Sequence, residues 1–117
     1  MPDFLKDQKR YYTPVEYVLD KIGGLYKMPL LWRLKDKSWR YSELKTSLQR
    51  TSDRMLSKTL KELVADGFVK KQVFAEVPVR TEYSITERGL GSIAIITTLR
   101  DYGFQLMEED GIREGDG

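Results

Sequence analysis

The run FVKKQVFAEVPVRTEYSITERG, residues 68–89, restricts the fold of this chain more than any other segment. Apolar, β-branched and aromatic residues gather on either side of a proline-containing turn, which predicts strands near Val69–Phe74 and Thr81–Ile85 joined as a hairpin. Pro78 falls at the tip, where it removes no ladder hydrogen bond. Thr86 then caps a helix predicted to run unbroken from about Glu87 to Glu109. Just before the hairpin, SDRMLSKTLKELVADG carries helical periodicity, with Ser52 as its cap and Asp66-Gly67 as its stop.

The rest of the chain supplies shorter helices. Thr13-Pro14-Val15-Glu16 combines an N-cap, a proline at the first helical position and a glutamate three after the cap. The helix it opens runs to about Ile22 and stops at Gly23-Gly24. A second helix covers roughly Tyr26 to Lys35, with Leu30, Leu31 and Leu34 inward; Pro29 is tolerated only in its first turn. Ser42-Glu43-Leu44 opens a third, to about Leu48, and the connector Gln49-Arg50-Thr51 leads to Ser52. Two helices joined by three or four residues form a helix-turn-helix. With the hairpin behind it, the layout is a winged helix-turn-helix: an α+β class, mostly helical, with a two-stranded wing. The 117 residues are read as one domain, with an N-terminal arm over 1–12 and a polar, glycine-rich tail over 110–117.

Composition narrows the chemistry. Cysteine and histidine are both absent, which removes disulfides, thiol switches, the commonest general base and the commonest metal ligand. The remaining carboxylates are scattered or gathered on the tail, so an enzyme is not expected and neither is a metal or cofactor. No apolar run could span a bilayer and the first residues do not resemble a signal peptide, so the expected compartment is the cytoplasm. Net charge is only +2, but nine basic residues face three acidic ones between Arg33 and Lys61. From Asp101 onward six acidic residues face one arginine. The basic middle suits a polyanion.

On a helical projection of residues 53–66, Leu56, Leu60 and Leu63 share one side, while Arg54, Ser57, Lys58 and Lys61 share the other. An apolar seam would fix the pose of such a helix and leave long cationic or hydroxyl side chains to enter a DNA major groove. Thr51, Ser52 and Arg54 at its start are candidates for contact with base edges, Ser57 and Lys58 follow along the groove, and Lys61 suits a phosphate. Arg40 and Ser42 at the entrance of the preceding helix, and Lys71 and Arg80 on the wing, complete the candidate DNA-binding set. Asp53 is read as a first-turn acid complementing the helix dipole. Taken alone, each feature also fits a solvated surface helix or a lysine-guarded strand edge.

From Pro78 to Gly89 the sequence resembles the HxlR-type winged helix-turn-helix transcriptional regulators of bacteria. The resemblance rests on Glu76-Val77-Pro78 with Arg80, and on Tyr83-Ser84-Ile85-Thr86-Glu87 with Gly89. Supporting matches are Pro14-Val15, Ile22-Gly23-Gly24, the Leu56, Leu60, Leu63, Asp66, Gly67 series, and Leu99 with Tyr102-Gly103. It covers about residues 11–107. The resemblance implies a homodimer that binds operator DNA through paired reading heads, with the terminal helices forming the dimer contact. Three positions depart from the family pattern. Thr13 stands where several members carry a sensing cysteine, Leu25-Tyr26 replaces Lys-Trp, and Arg50-Thr51-Ser52 lacks the usual glycine.

The last helix supports self-association independently. It is apolar nearly all round, so it must be covered on more than one side. Tyr12, Val15, Leu19, Ile93, Ile96, Leu99, Tyr102 and Leu106 are the candidate dimer interface. A two-fold dimer would set two reading helices about 34 Å apart on a palindromic site. The rival reading is a winged-helix interaction module whose basic face takes an acidic protein partner. Tyr11, Tyr12, Tyr17 and Tyr26 are candidates to line a pocket for a small-molecule effector between the terminal helices, with interface packing as the plainer alternative. Operator sequence, target genes and the sign of regulation are not written in the sequence.

Overall fold

The computed structural model describes residues 3–113. Eleven elements follow one another: β1 Phe4–Lys6, β2 Lys9–Tyr11, α1 Pro14–Ile22, α2 Lys27–Leu34, β3 Trp39–Arg40, α3 Tyr41–Ser47, α4 Asp53–Ala65, β4 Val69–Phe74, β5 Arg80–Ile85, α5 Glu87–Leu90 and α6 Ile93–Glu109. β3, β5 and β4 form an antiparallel sheet in that order, with Lys71 opposite Tyr83 and Trp39 on the other side of the same tyrosine. The architecture is α+β, mostly helical, with a small sheet, as the hairpin and its flanking helices predict.

The core is built from the leucines that the helical spacing selects. Leu30, Leu31 and Leu34 of α2, Leu44 of α3 and Leu56, Leu60 and Leu63 of α4 are all fully buried, joined by Ile22, Phe68, Val69, Tyr83 and Ile96. Local chemistry sets the boundaries. Thr13 accepts from Glu16 N, Ser52 from Met55 N and Thr86 from Gly89 N, each capping the helix that follows. α4 ends at Gly67 with φ of +81°, where Phe68 N donates to Leu63 O and Gly67 N to Val64 O. That pair of bonds turns the chain directly from the helix into β4. Gly89 is required for a different reason: a Cβ there would stand 2.2 Å from Phe68 O.

Three expectations are corrected. The arm is a hairpin: β1 and β2 pair with Phe4 opposite Tyr11, around a two-residue turn in which Asp7 and Gln8 have φ of 53° and 68°. It is fastened to α1 by an aromatic cluster of Phe4, Tyr11 and Tyr17, with ring centroids 4.9–5.5 Å apart. The Tyr11 hydroxyl donates to Asp20 at 2.6 Å and Lys9 pairs with the same carboxylate. The bonds from Lys9 and then Tyr11 hold the Asp20 carboxyl below its usual range, and the bond to Asp20 is the main cause that pushes the Tyr11 phenol up to about 12.

The long final helix is interrupted, because Ser92 N and Ser92 Oγ both bond Gly89 O, at 3.0 and 2.6 Å. These short-range bonds replace the i→i−4 ladder for one turn, and α6 restarts at Ile93. The two-residue strand β3 is the third difference; its register is set by Tyr83 and Glu82 of β5 rather than by any local signal. Residues 110–113 of the predicted tail are described, and 114–117 lie outside the described residues. No helix among the described residues is long and apolar enough to cross a membrane.

Candidate nucleic-acid interface

α3, α4 and the β4–β5 wing meet around a concave groove of about 520 Å³. Arg40 of β3 and Tyr41 and Ser42 of α3 border it, with Ser57 from α4 and Lys71 and residues 76–81 from the wing. α4 is fixed on its inner side by the buried leucines and at its N-terminus by hydrogen bonds. The Tyr41 hydroxyl lies 3.1 Å from Asp53 Oδ1 and 3.2 Å from Ser57 Oγ, joining the start of α3 to the first turn of α4. Lys45 Nζ donates to Thr51 O at 2.7 Å, and Arg33 bridges Pro29 O and Ser47 Oγ. Burial lowers the pKa of the Arg33 guanidinium. The helix-turn-helix is thereby tied together through side chains that run between its two helices.

The candidate DNA-binding residues divide on exposure. Arg40, Ser42, Ser52, Arg54, Ser57, Lys58, Lys61 and Lys71 are all exposed. Thr51 is not: at 2% exposure it packs beneath the connector and its hydroxyl has no partner among the described residues. Its β-branched side chain fills the turn where the family pattern has a glycine, so it serves the turn and offers no side-chain contact outward. Arg80 is half-buried and turned back into the wing. Its Nε stands 2.9 Å from Glu82 Oε2 without hydrogen-bond alignment, its Nη1 lies 3.4 Å from Glu76, and its guanidinium covers the Phe74 ring at 4.0 Å. Arg80 braces the hairpin, and Val77, Pro78 and Val79 form an exposed apolar tip in front of it.

Most cations of this face lack an ion pair, whereas elsewhere paired and unpaired cations are mixed. Elsewhere, Lys9, Arg10, Lys21, Lys27 and Lys35 each pair with a carboxylate. On the α3–α4–wing side, Arg40, Arg50, Arg54, Lys58, Lys61, Lys70 and Lys71 make no ion pair among the described residues. Asp53, the acid in this field, is engaged by Tyr41 and stands in the first turn of α4. Sequence spacing did not single out Tyr41 or Arg50. Arg50 is an exposed cation of the connector beside Tyr26 and Pro29, legible only as part of the basic run.

The predicted interface residues also divide. Tyr12, Val15, Leu19, Leu99, Tyr102 and Leu106 are exposed on α6 and on and before α1, as a surface awaiting cover would be. Ile93 is half-buried and Ile96 belongs to the chain's own core at 4% exposure, so Ile96 faces inward rather than toward a partner. The four tyrosines do not converge on one pocket. Tyr11 and Tyr17 belong to the hairpin cluster, Tyr12 is exposed, and Tyr26 stands beside the helix-turn-helix connector.

The profile of the HxlR-like helix-turn-helix family matches residues 21–111. An uncharacterized HTH-type transcriptional regulator of Methanothermobacter thermautotrophicus is 39% identical over 93 residues, spanning 80% of this chain and 71% of that protein. The uncharacterized HTH-type regulator YybR of Bacillus subtilis is 38% identical over 90 residues, 77% of this chain and 72% of its own. Among solved structures, the redox regulator HypR in its oxidized form superposes with a TM-score of 0.75 at 36% identity, covering 80% of this chain and 96% of that one. With α4, the connector before it and the wing all within the matched residues, the chain belongs to the HxlR-like helix-turn-helix family of transcriptional regulators.

Proposed function

We propose that this regulator works as a cytoplasmic homodimer on a palindromic operator, with α4 in the major groove and the wing on the adjacent backbone or minor groove. The observation that carries this reading is the gathering of exposed cations without carboxylate partners on one face, from Arg40 through α4 to β4. Cations held without counter-charge suit a polyphosphate surface, whose bound counterions they displace. Arg54, Ser57 and Lys58 then face base edges and Lys61, Arg40 and Lys71 face phosphates. The apolar tip Val77-Pro78-Val79 suits shallow contact with sugar rings, and Arg80 supports that tip from behind.

Dimerisation is supported by the exposed apolar residues of α1 and α6, too many for a chain of this size to leave in water. The relative described as a redox regulator does not lend this chain a thiol mechanism, because there is no cysteine to oxidise.

Gel shifts of random duplex across a salt series test the interface. Binding should weaken steeply, by a log–log slope of about −0.9 per phosphate contacted. Salt-insensitive binding, or tighter capture by polyglutamate than by duplex at equal ionic strength, would instead favour an acidic protein as the partner.

A further inference from the structure

A second cleft, of about 210 Å³, lies where α1 meets the α5–α6 junction. Its walls are the apolar side chains of Tyr17, Val18, Ile22, Phe68 and Ile95. Two cations, Lys21 and Arg88, stand among them, and no carboxylate does. Arg88 makes no ion pair among the described residues; its guanidinium lies over the Phe68 ring, 4.8 Å from the centroid. Lys21 is partly satisfied, with Nζ 3.6 Å from Asp66 and 3.9 Å from Asp20. The charge left uncompensated at this apolar cleft is therefore positive and centred on Arg88.

We propose that the cleft binds a small monoanionic carboxylate with an apolar body of roughly benzene size, its carboxylate on Arg88 and its body against Phe68, Ile95 and Ile22. The cleft is open to solvent, and its volume of about 210 Å³ is enough to seat a ring and one carboxylate. Charge sets the class. A neutral molecule of the same shape leaves the guanidinium without an acceptor, and a cation is repelled.

The position also suggests what occupancy does. Phe68 is the first residue beyond Gly67, where α4 turns into the wing, and Lys21 holds Asp66 at the C-terminus of α4. A ligand whose body packs on Phe68 bears directly on that joint, so the bound acid acts as an effector that weakens duplex binding. The effector role rests on the DNA-binding reading above; the binding itself does not.

Calorimetric titration of the full chain with benzoate, benzamide and benzylamine decides the first part. Benzoate should bind saturably and the other two should not. Arg88→Gln should weaken benzoate at least about ten-fold, the loss of one charge-assisted contact. Ile95→Trp should block the cleft, and sedimentation of that variant should show an unchanged oligomeric state, because Ile95 lies on the exposed apolar face of α6. Equal binding of benzamide, or benzoate affinity unchanged in both variants, would overturn the site. Anisotropy of a labelled duplex, with and without saturating benzoate, decides the second part: a duplex Kd raised about five-fold or more supports the effector role, and an unchanged Kd overturns it. Duplex binding in the absence of benzoate reads the DNA-binding proposal separately.

Discussion

Arg54 and Arg80 are the same side chain put to opposite uses. Arg54 is exposed in the first turn of α4 and makes no ion pair among the described residues, whereas Arg80 is drawn between Glu76 and Glu82. Arg54→Ala should relax sequence preference by about 1–3 kcal/mol of discrimination, and Lys61→Ala should lower affinity evenly across sequences and reduce the salt slope by about one. Competition binding with specific and random duplexes reads both, and equal effects of the two changes would refute this division of roles. Arg80→Ala should instead lower folding stability by about 1–2 kcal/mol while leaving the salt slope unchanged, because its loss leaves two carboxylates without their partner. Gly89→Ala is the severest change expected, about 2–3 kcal/mol by thermal unfolding, since the added Cβ would meet Phe68 O and Ile85 Cγ1. The leucine seam of α4 was readable from spacing alone, but the pairing of Arg80 was not. Spacing gives a residue's face; it does not give the rotamer that turns a guanidinium back toward Glu82.

At the scale of elements, legibility followed how local the determining interactions are. α1, α4 and the wing announce themselves through caps, stops and alternation contained within a dozen residues. The N-terminal hairpin does not, because its turn uses Asp7-Gln8 rather than a glycine pair, and its stability comes from Tyr17 and Asp20 of the next helix. The α5–α6 break was hidden because apolar residues continue at helical spacing across it, while the interrupting bonds come from one serine.

The hairpin carries its own pH dependence. Tyr11 ionises near 12 against an ordinary 10, so its bond to Asp20 contributes fully below pH 10 and is lost as pH rises toward 12. Asp20 has the opposite sign: its depressed pKa contributes above the ordinary carboxylate value of 3.8 and is lost on acidification through its folded value. Tyrosinate absorbance should show Tyr11 titrating late, together with Tyr83, whose phenol burial also pushes up, and Tyr11→Phe should remove one tyrosine from the late step. A phenol at position 11 titrating near 10 would contradict the bond.

At the scale of the whole molecule, two surfaces remain uncovered in a single chain: the cationic face of α3, α4 and the wing, and the apolar face of α1 and α6. On the proposed function, the apolar face meets a second copy of the chain and the cationic face meets the duplex. Leu99→Glu should therefore convert the protein to a monomer in sedimentation while leaving its circular dichroism unchanged, because Leu99 is 47% exposed in the single chain. That variant should still bind random duplex weakly, through one reading head. The most direct test of a paired reading head is selection from a randomised duplex library followed by sequencing. An enriched inverted repeat with half-sites about one helical turn apart, near 34 Å, is the predicted result. Enrichment of no sequence, or of a single unpaired half-site by the wild-type protein, would contradict it.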